Sequence, residues 1–287
     1  MKKLIYIGLR TKTGKLLIKE FENLGYIVII PDLTTVSYFS TNGKVHIDSE
    51  SGYISDVSVM MIRSTKNIDI EKLYLLASSL EKNGCLVIDG SERVKRFVSS
   101  KSASSIERTG MSGGIPTFIP ASKGDYMPLA YPVIVKPTNG KYCRGVTVCV
   151  TERSYLDSVK DMNDGIIVQK YIPFKYENRV LVLNVKGRAP KLIYIASKKN
   201  VARRGTKRKA TFVPDSIRRS LEIFIMFHYI NKKDGLIGYD IGTDDSGNHF
   251  IIEANYSPRF DRATVKLNVN IAEIVVKAID DYATKTI

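Results

Sequence analysis

The first third of the chain alternates short apolar runs with amphipathic stretches. Residues 4–8, 26–30, 57–62 and 85–88 are apolar runs of strand length, the second closed by Pro31. Between them, residues 13–24 and 68–80 carry apolar positions at helical spacing and stop near Gly25 and Gly84. Strands separated by helices predict a parallel sheet with right-handed crossovers. Residues 37–52, polar and containing Asn42-Gly43, read as a hairpin excursion.

The pattern changes after Glu92. Residues 91–109 read as a helix, Gly113-Gly114 stops it, and Ile115-Pro116 opens an extended segment. Residues 131–136 and 146–150 are strands flanking a glycine-containing loop, 154–162 a short helix and 166–169 a strand. This predicts a βαβ-like unit with the glycine loop between its first two strands. Residues 179–185 and 191–197 read as a hairpin turning at Gly187, and 216–230 as a helix. Strands at 236–241 and 249–253 turn around residues 244–247, and a helix over 270–283 closes the chain. The expected class is α/β followed by α+β.

Composition narrows the picture. The chain has 287 residues, 44% hydrophobic and 25% charged, which excludes a mainly disordered protein. No apolar run approaches the ~20 residues of a membrane span. The opening MKKLIYIGLR imitates a signal peptide, but Arg10, Lys12 and Lys15 interrupt it, so a first strand and a cytoplasmic protein are expected. Cys85, Cys143 and Cys149 form no CxxC pair, and His46, His228 and His249 are scattered; neither a disulfide framework nor a Cys- or His-type metal motif is expected.

Charge points to the partner. The chain carries 44 Lys and Arg against 29 Asp and Glu, net +15. Residues 186–219 hold twelve of the basic residues against Asp215 alone. An anionic partner fits this excess: a nucleotide, nucleic acid, acidic peptide or phosphorylated metabolite. A solvated basic loop is the plainer alternative.

Three constellations could carry chemistry. Lys136 ends an apolar strand and is followed by a loop containing Gly140 and Gly145, whose backbone N–H groups could approach phosphate oxygens; a β-turn beside a surface lysine is the bland reading. Asp240 ends one strand, and Glu253 and Asn255 lie two apart on the next, hence on one face. Three such oxygen ligands suit Mg²⁺, or Mn²⁺ in its place; a polar strand edge is the alternative. Gln169, Lys170, Tyr171 and Ile172 run out of a strand where backbone groups could meet a purine edge, and Glu177 follows at a distance suited to ribose hydroxyls.

In this order the motifs resemble the ATP-grasp superfamily, in the branch of ribosomal-protein glutamate ligase and bacterial glutathione synthetase. The resemblance covers nearly the whole chain: Ser100-Lys101 leading to Gly113-Gly-Ile-Pro116, Met61-Ile-Arg63 after the third strand, VIVKP with its glycine loop, VQKYI…ENRVLV, and Asn255-Tyr-Ser-Pro258 after the metal glutamate. It implies that Lys101 and Lys136 contact ATP phosphates, that residues 140–146 fold over them, and that 169–172 form the adenine hinge. It further implies that Glu177 holds the ribose, that Asp240, Glu253 and Asn255 bind Mg²⁺, and that Arg179 points toward the γ-phosphate or an acyl-phosphate. Lys198, or Lys199, and Arg203 or Arg204 match the basic positions that follow, but the asparagine expected after that arginine is missing, and Arg259 stands where the family often has glycine.

The architecture so implied has an α/β domain at 1–97, a lid at 98–170 and an α+β domain at 171–287. The implied reaction is ATP-dependent C–N ligation through an acyl-phosphate, acting on a small-molecule or acidic peptide or protein substrate, without a membrane. Homo-oligomers occur among relatives. Two rivals remain at this stage. One is an ATP-grasp kinase for an anionic small molecule. The other is a nucleic-acid-binding protein, less favoured because aromatics only flank the basic run at Tyr194 and Phe212.

Overall fold

The computed structural model describes residues 1–8, 11–33, 37–41, 44–49, 52–54, 56–63, 68–91, 94, 113–122, 125–138, 145–160, 162, 165–185, 188–199, 215–226 and 235–284. Residues 92, 93 and 95–109 of the expected helix, with Lys101, the turns at Asn42-Gly43 and Gly187, Gly140, and Arg203 and Arg204 lie outside these residues.

The opening strands β1 (Lys3–Ile7), β2 (Ile27–Ile29), β6 (Val59–Ile62) and β7 (Leu86–Ile88) form a parallel sheet in the order β2-β1-β6-β7. Alternation along β1 decides which helix covers which face. Leu4 and Tyr6 pack with Leu17 and Phe21 of α1 (Lys12–Asn23). Ile5 and Ile7 pack with Leu73, Leu76 and Leu80 of α2 (Ile70–Lys82). Both helices begin at side-chain caps: Thr11 accepts from the Gly14 N–H, and Asp69 from those of Glu71 and Lys72. The polar excursion is a separate antiparallel sheet of β3 (Ser37–Thr41), β4 (Lys44–Ser49) and β5 (Gly52–Ile54).

A second four-stranded sheet, in the order β10-β9-β11-β8, contains β8 (Thr117–Phe118), β9 (Val133–Pro137), β10 (Thr147–Cys149) and β11 (Ile166–Lys170). All its neighbouring pairs are antiparallel. The βαβ expectation is therefore modified. β10 and β11 flank β9, so α3 (Glu152–Lys160) crosses over a strand of opposite direction. One face of this sheet is apolar, with Val133, Val135 and Val168 against Tyr155 and Val159.

The last sheet, β13-β12-β14-β15, is antiparallel and built from β12 (Tyr176–Asn184), β13 (Lys191–Lys199), β14 (Gly235–Thr243) and β15 (His249–Asn255). Its Val180, Val182, Tyr239 and Ile241 face Leu221 and Phe224 of α4 (Asp215–Phe224). On the other face, Leu181, Leu183 and Leu236 meet Val275, Val276 and Ile279 of the terminal helix α6 (Ile271–Thr284), which also packs against α1 and β1. One amphipathic helix thus ties the first and last sheets into a common core. The helix α5 (Asp261–Leu267), ended by Asn268 at φ +50°, is absent from the hydrophobic pattern because none of its residues is buried. Among the described residues no helix is long and apolar enough to cross a membrane.

Candidate functional site

Strand register gathers the charged residues. Arg179 on β12 lies opposite Asp240 on β14, and Asp240 lies opposite Glu253 on β15. Asn255 lies opposite Gly238, and Glu177 opposite both Lys198 on β13 and Gly242 on β14. Residues two apart on a strand share a face, so Glu177, Arg179, Lys198, Asp240, Glu253 and Asn255 stand on one side of this sheet. A bulge between Asp240 and Ile241, with Ile252 as the additional residue, lets Ile251 face α4 while Glu253 faces the site. That irregularity is not readable from the sequence.

Arg179 sits among the acids. Its Nη1 donates to Asp240 Oδ2 at 2.6 Å. With the Asn255 amide oriented to satisfy both its atoms, its oxygen accepts from Arg179 Nη1 at 2.9 Å and its nitrogen donates to Glu253 Oε1 at 3.2 Å. Burial on the sheet face pushes the Asp240 carboxyl above its ordinary value. Arg179 opposes this by charge and hydrogen bond, Glu253 adds to the rise, and Lys198 lowers it. Burial likewise raises Tyr194, against the pull of Arg179, which also hydrogen-bonds it.

These donors fit a cation. A positive group, Arg179 Nη1, already lies within hydrogen-bond reach of Asp240 and Asn255. Among the described residues no three His, Cys, Asp or Glu form a closed metal cage. Two carboxylates with an amide oxygen suit Mg²⁺, which completes its shell with water and phosphate oxygens.

The smaller sheet supplies a second polar face. Lys136 lies opposite Ile167, and Gln169 opposite Ile134, so both project to the side away from α3. Gln169, 4% exposed, accepts from Lys136 Nζ at 2.6 Å through Oε1 and donates to Thr117 Oγ1 at 3.0 Å. Thr117 in turn donates to the Ile115 carbonyl at 2.8 Å. The lysine that ends this apolar strand is therefore fixed through a buried amide. Gly145 has φ +73°, and a Cβ there would lie 3.2 Å from Pro137 Cγ, so the loop returns to β10 through a backbone that favours glycine.

The segment after β11 is narrower in its options than expected. The Lys170 N–H is bound to the Pro116 carbonyl and that of Tyr171 to the Pro132 carbonyl, both at 3.0 Å. From the backbone these two residues can therefore offer a ligand only carbonyl acceptors. Gly114 bridges in parallel to Ile251, and the Ile251 N–H donates to the Gly113 carbonyl at 2.9 Å. The Gly-Gly-Ile-Pro segment so joins the smaller sheet to β15. A Cβ on Gly113 would overlap the Phe224 ring at 2.6 Å.

Several supporting contacts escaped sequence reasoning. A Cβ at Gly238 would lie 2.7 Å from Pro258 Cβ and 3.4 Å from Arg179 Nε, so this strand glycine admits both groups. Gly242 lies under the Phe174 ring, where a Cβ would come within 2.4 Å. A glycine inside a strand signals such close approach, and both glycines were visible in the sequence. Arg63, 5% exposed, donates to the Pro258 carbonyl at 3.0 Å and lies 3.6 Å from the wholly buried Asp89. Ser257 donates to the Arg63 carbonyl, and the Phe260 N–H to Thr13 at 3.3 Å. The loop after the Glu253 strand is thus held by Arg63, which follows β6, and by Thr13 of α1. Arg259 stays exposed, 3.4 Å from Asp261.

The model of the RimK-like ATP-grasp domain matches residues 115–279. The chain belongs to this family. It is an ATP-dependent carboxylate–amine ligase. The search of curated proteins finds no match. Similar solved structures include the ATP-grasp ligase PsnB complexed with minimal precursor, at TM-score 0.67 and 13% identity over 97% of this chain and 98% of that one. A RiPP-associated ATP-grasp ligase of Chryseobacterium gregarium, in complex with ADP and a leader and core peptide, has TM-score 0.64 and 15% identity over 98% and 97%. The macrocyclase MdnC of Microcystis aeruginosa MRC, bound with precursor peptide MdnA, has TM-score 0.65 and 14% identity over 98% and 100%. At these identities the likeness is one of fold. It spans 97–98% of the RimK-like ATP-grasp chain, including the sheet that precedes the matched domain.

Proposed function

We propose that this RimK-like ATP-grasp ligase forms an amide bond on an acidic peptide through an acyl-phosphate. The observation that carries the reading is the single sheet face that holds Arg179, Asp240, Glu253 and Asn255 within reach of one another. Peptide as the substrate class is supported by structural neighbours that hold precursor peptides. Acidic character is supported by the twelve basic residues concentrated in 186–219. We take 1–97, 98–170 and 171–287 as its three units.

In the first step a substrate carboxylate oxygen bonds to the γ-phosphorus of ATP, the bond to the β-phosphate oxygen breaks, and ADP leaves. In the second an amine nitrogen bonds to the acyl carbon, inorganic phosphate leaves, and the amine releases a proton. Asp240, Glu253 and Asn255 would hold Mg²⁺, which would supply charge neutralisation at the phosphoryl group. Lys136, fixed by Gln169, and Lys101 give positive charge to the phosphates, and Glu177 accepts from ribose hydroxyls. Arg179 and Lys198 stabilise the oxygens that gain charge during transfer. Arg203 and Arg204 bind a substrate carboxylate in a fork geometry that lysine does not reproduce.

ADP release should be measured with acidic peptides and amines added singly and in pairs. Turnover that needs both a carboxylate and an amine, and is lost in Glu253→Gln with the melting temperature kept, fits the reading. ADP release with a hydroxyl compound and no amine would instead make the protein a kinase.

A further inference from the structure

Behind the charged face, on the side covered by α4, runs a chain of polar groups that is buried from Ser197 to His249 and ends at the exposed Ser220. Ser197 Oγ donates to Asn178 Oδ1. Asn178 Nδ2 donates to the Ile241 carbonyl at 3.1 Å and to Thr243 Oγ1 at 2.9 Å. Thr243 Oγ1 lies 2.9 Å from His249 Nδ1, and His249 Nε2 lies 2.8 Å from Ser220 Oγ. Ser220 Oγ lies 3.1 Å from the Ile217 carbonyl and donates to it. The chain crosses β13, β12, β14 and β15 in turn and ends on α4.

Its direction follows from counting donors. Thr243 Oγ1 accepts from Asn178, so its own hydrogen is left for His249 Nδ1. That nitrogen is then an acceptor, and the ring carries its hydrogen on Nε2, pointed at Ser220. The Ser220 hydrogen goes to Ile217. Every group is satisfied in this arrangement. The opposite tautomer would leave the hydrogen of the buried Thr243 hydroxyl without this partner.

Position gives the chain a role. Asn178 lies between Glu177 and Arg179, and Ser197 directly precedes Lys198. We infer that His249, neutral and protonated on Nε2, is a positioning residue that fixes the four strands and α4 behind the nucleotide–metal face. This rests on the proposed function of that face. A second proton on the ring would place a donor on Nδ1 against the Thr243 hydroxyl, which must turn away and open the chain.

The surroundings keep the ring neutral. Burial holds the His249 imidazole below its ordinary value, against the weaker pull of Asp244. On α4 the facing groups are Ser220 and the Phe224 ring, 5.4 Å away, and the charged Arg218 and Glu222 pair with each other at 3.1 Å. The Gly113–Gly114 segment beside β15 brings no charge.

Two measurements on the full chain test this. Long-range ¹⁵N–¹H NMR of its three histidines, with His249→Gln for assignment, should show His249 as the Nε2–H tautomer at neutral pH, titrating below an ordinary histidine. Calorimetry should show Thr243→Val binding Mg·ADP about three- to tenfold more weakly, the effect of one buried hydrogen bond, with Thr243→Ser close to wild type. Should Thr243→Val not fold, Ser220→Ala breaks the other end, and a weakened Mg·ADP affinity is again expected. An Nδ1–H tautomer, or Thr243→Val binding as wild type does, overturns the inference while the nucleotide site stands. A wild type that does not bind Mg·ADP overturns both.

Discussion

Replacing Arg63 by methionine tests how the opening domain supports the site. The guanidinium is 5% exposed, donates to the Pro258 carbonyl at 3.0 Å and lies 3.6 Å from Asp89, which has no exposed surface. Methionine fills similar volume, so the change removes charge and donors more than packing. It leaves the buried Asp89 carboxylate without that guanidinium. Breaking one side of a buried pair costs about 3–5 kcal/mol, because the remaining charge is far less well solvated than in water. At about 2–4 °C per kcal/mol for a chain of this size, the melting temperature should fall by roughly 6–20 °C. The double variant Arg63→Met with Asp89→Leu removes both charges and should recover at least half of the loss, a coupling that two independent sites would not show. Thermal and urea unfolding followed by circular dichroism give both quantities. A loss under about 1 kcal/mol in Arg63→Met, or a double variant no more stable than the single, would refute the assignment of a buried charge pair.

Two further outcomes follow from the same geometry. Asp240 carries a carboxyl raised by burial, so the folded state binds its proton more readily than the unfolded state does. Stability should therefore decrease as pH rises from the ordinary aspartate value through the raised one, and Asp240→Asn should flatten that segment of the stability profile. Metal binding has the opposite sign, because Mg²⁺ competes with the proton for the carboxylate, and Mg²⁺ affinity should decline as pH falls through the same window; an affinity that stays level there would contradict the role. Gly242→Ala places a methyl within 2.4 Å of the Phe174 ring. The ring must move, at a cost of about 1–3 kcal/mol, and an unchanged urea midpoint would refute the close approach.

The sequence by itself determined most of the element order and the family. Apolar runs of strand length separated by amphipathic helices need no long-range information, and the strands β1, β2, β6 and β7 with the helices α1 and α2 lie where periodicity puts them. Glu253 and Asn255 share a face because strand side chains repeat every two residues, and that repeat was legible too. The helix α5 was not, because a short exposed helix leaves no apolar stripe.

Register and burial belonged to the tertiary structure. That Arg179 meets Asp240, and Asp240 meets Glu253, depends on which residues pair across strands separated by up to 61 positions in sequence. The bulge at Ile252 turns Glu253 toward the site while Ile251 stays in the core, and nothing local marks it. The resemblance singled out Arg63, but only the folded sheet and the Pro258 loop enclose it beside the buried Asp89. His249 drew attention only as one of three scattered histidines. Its neighbours Thr243 and Ser220 come from a facing strand and a helix, and only folding sets the direction of the hydrogen bonds between them. Periodicity is a property of the chain, whereas hydrogen-bond partners and the loss of solvent around a charge are properties of the packed molecule.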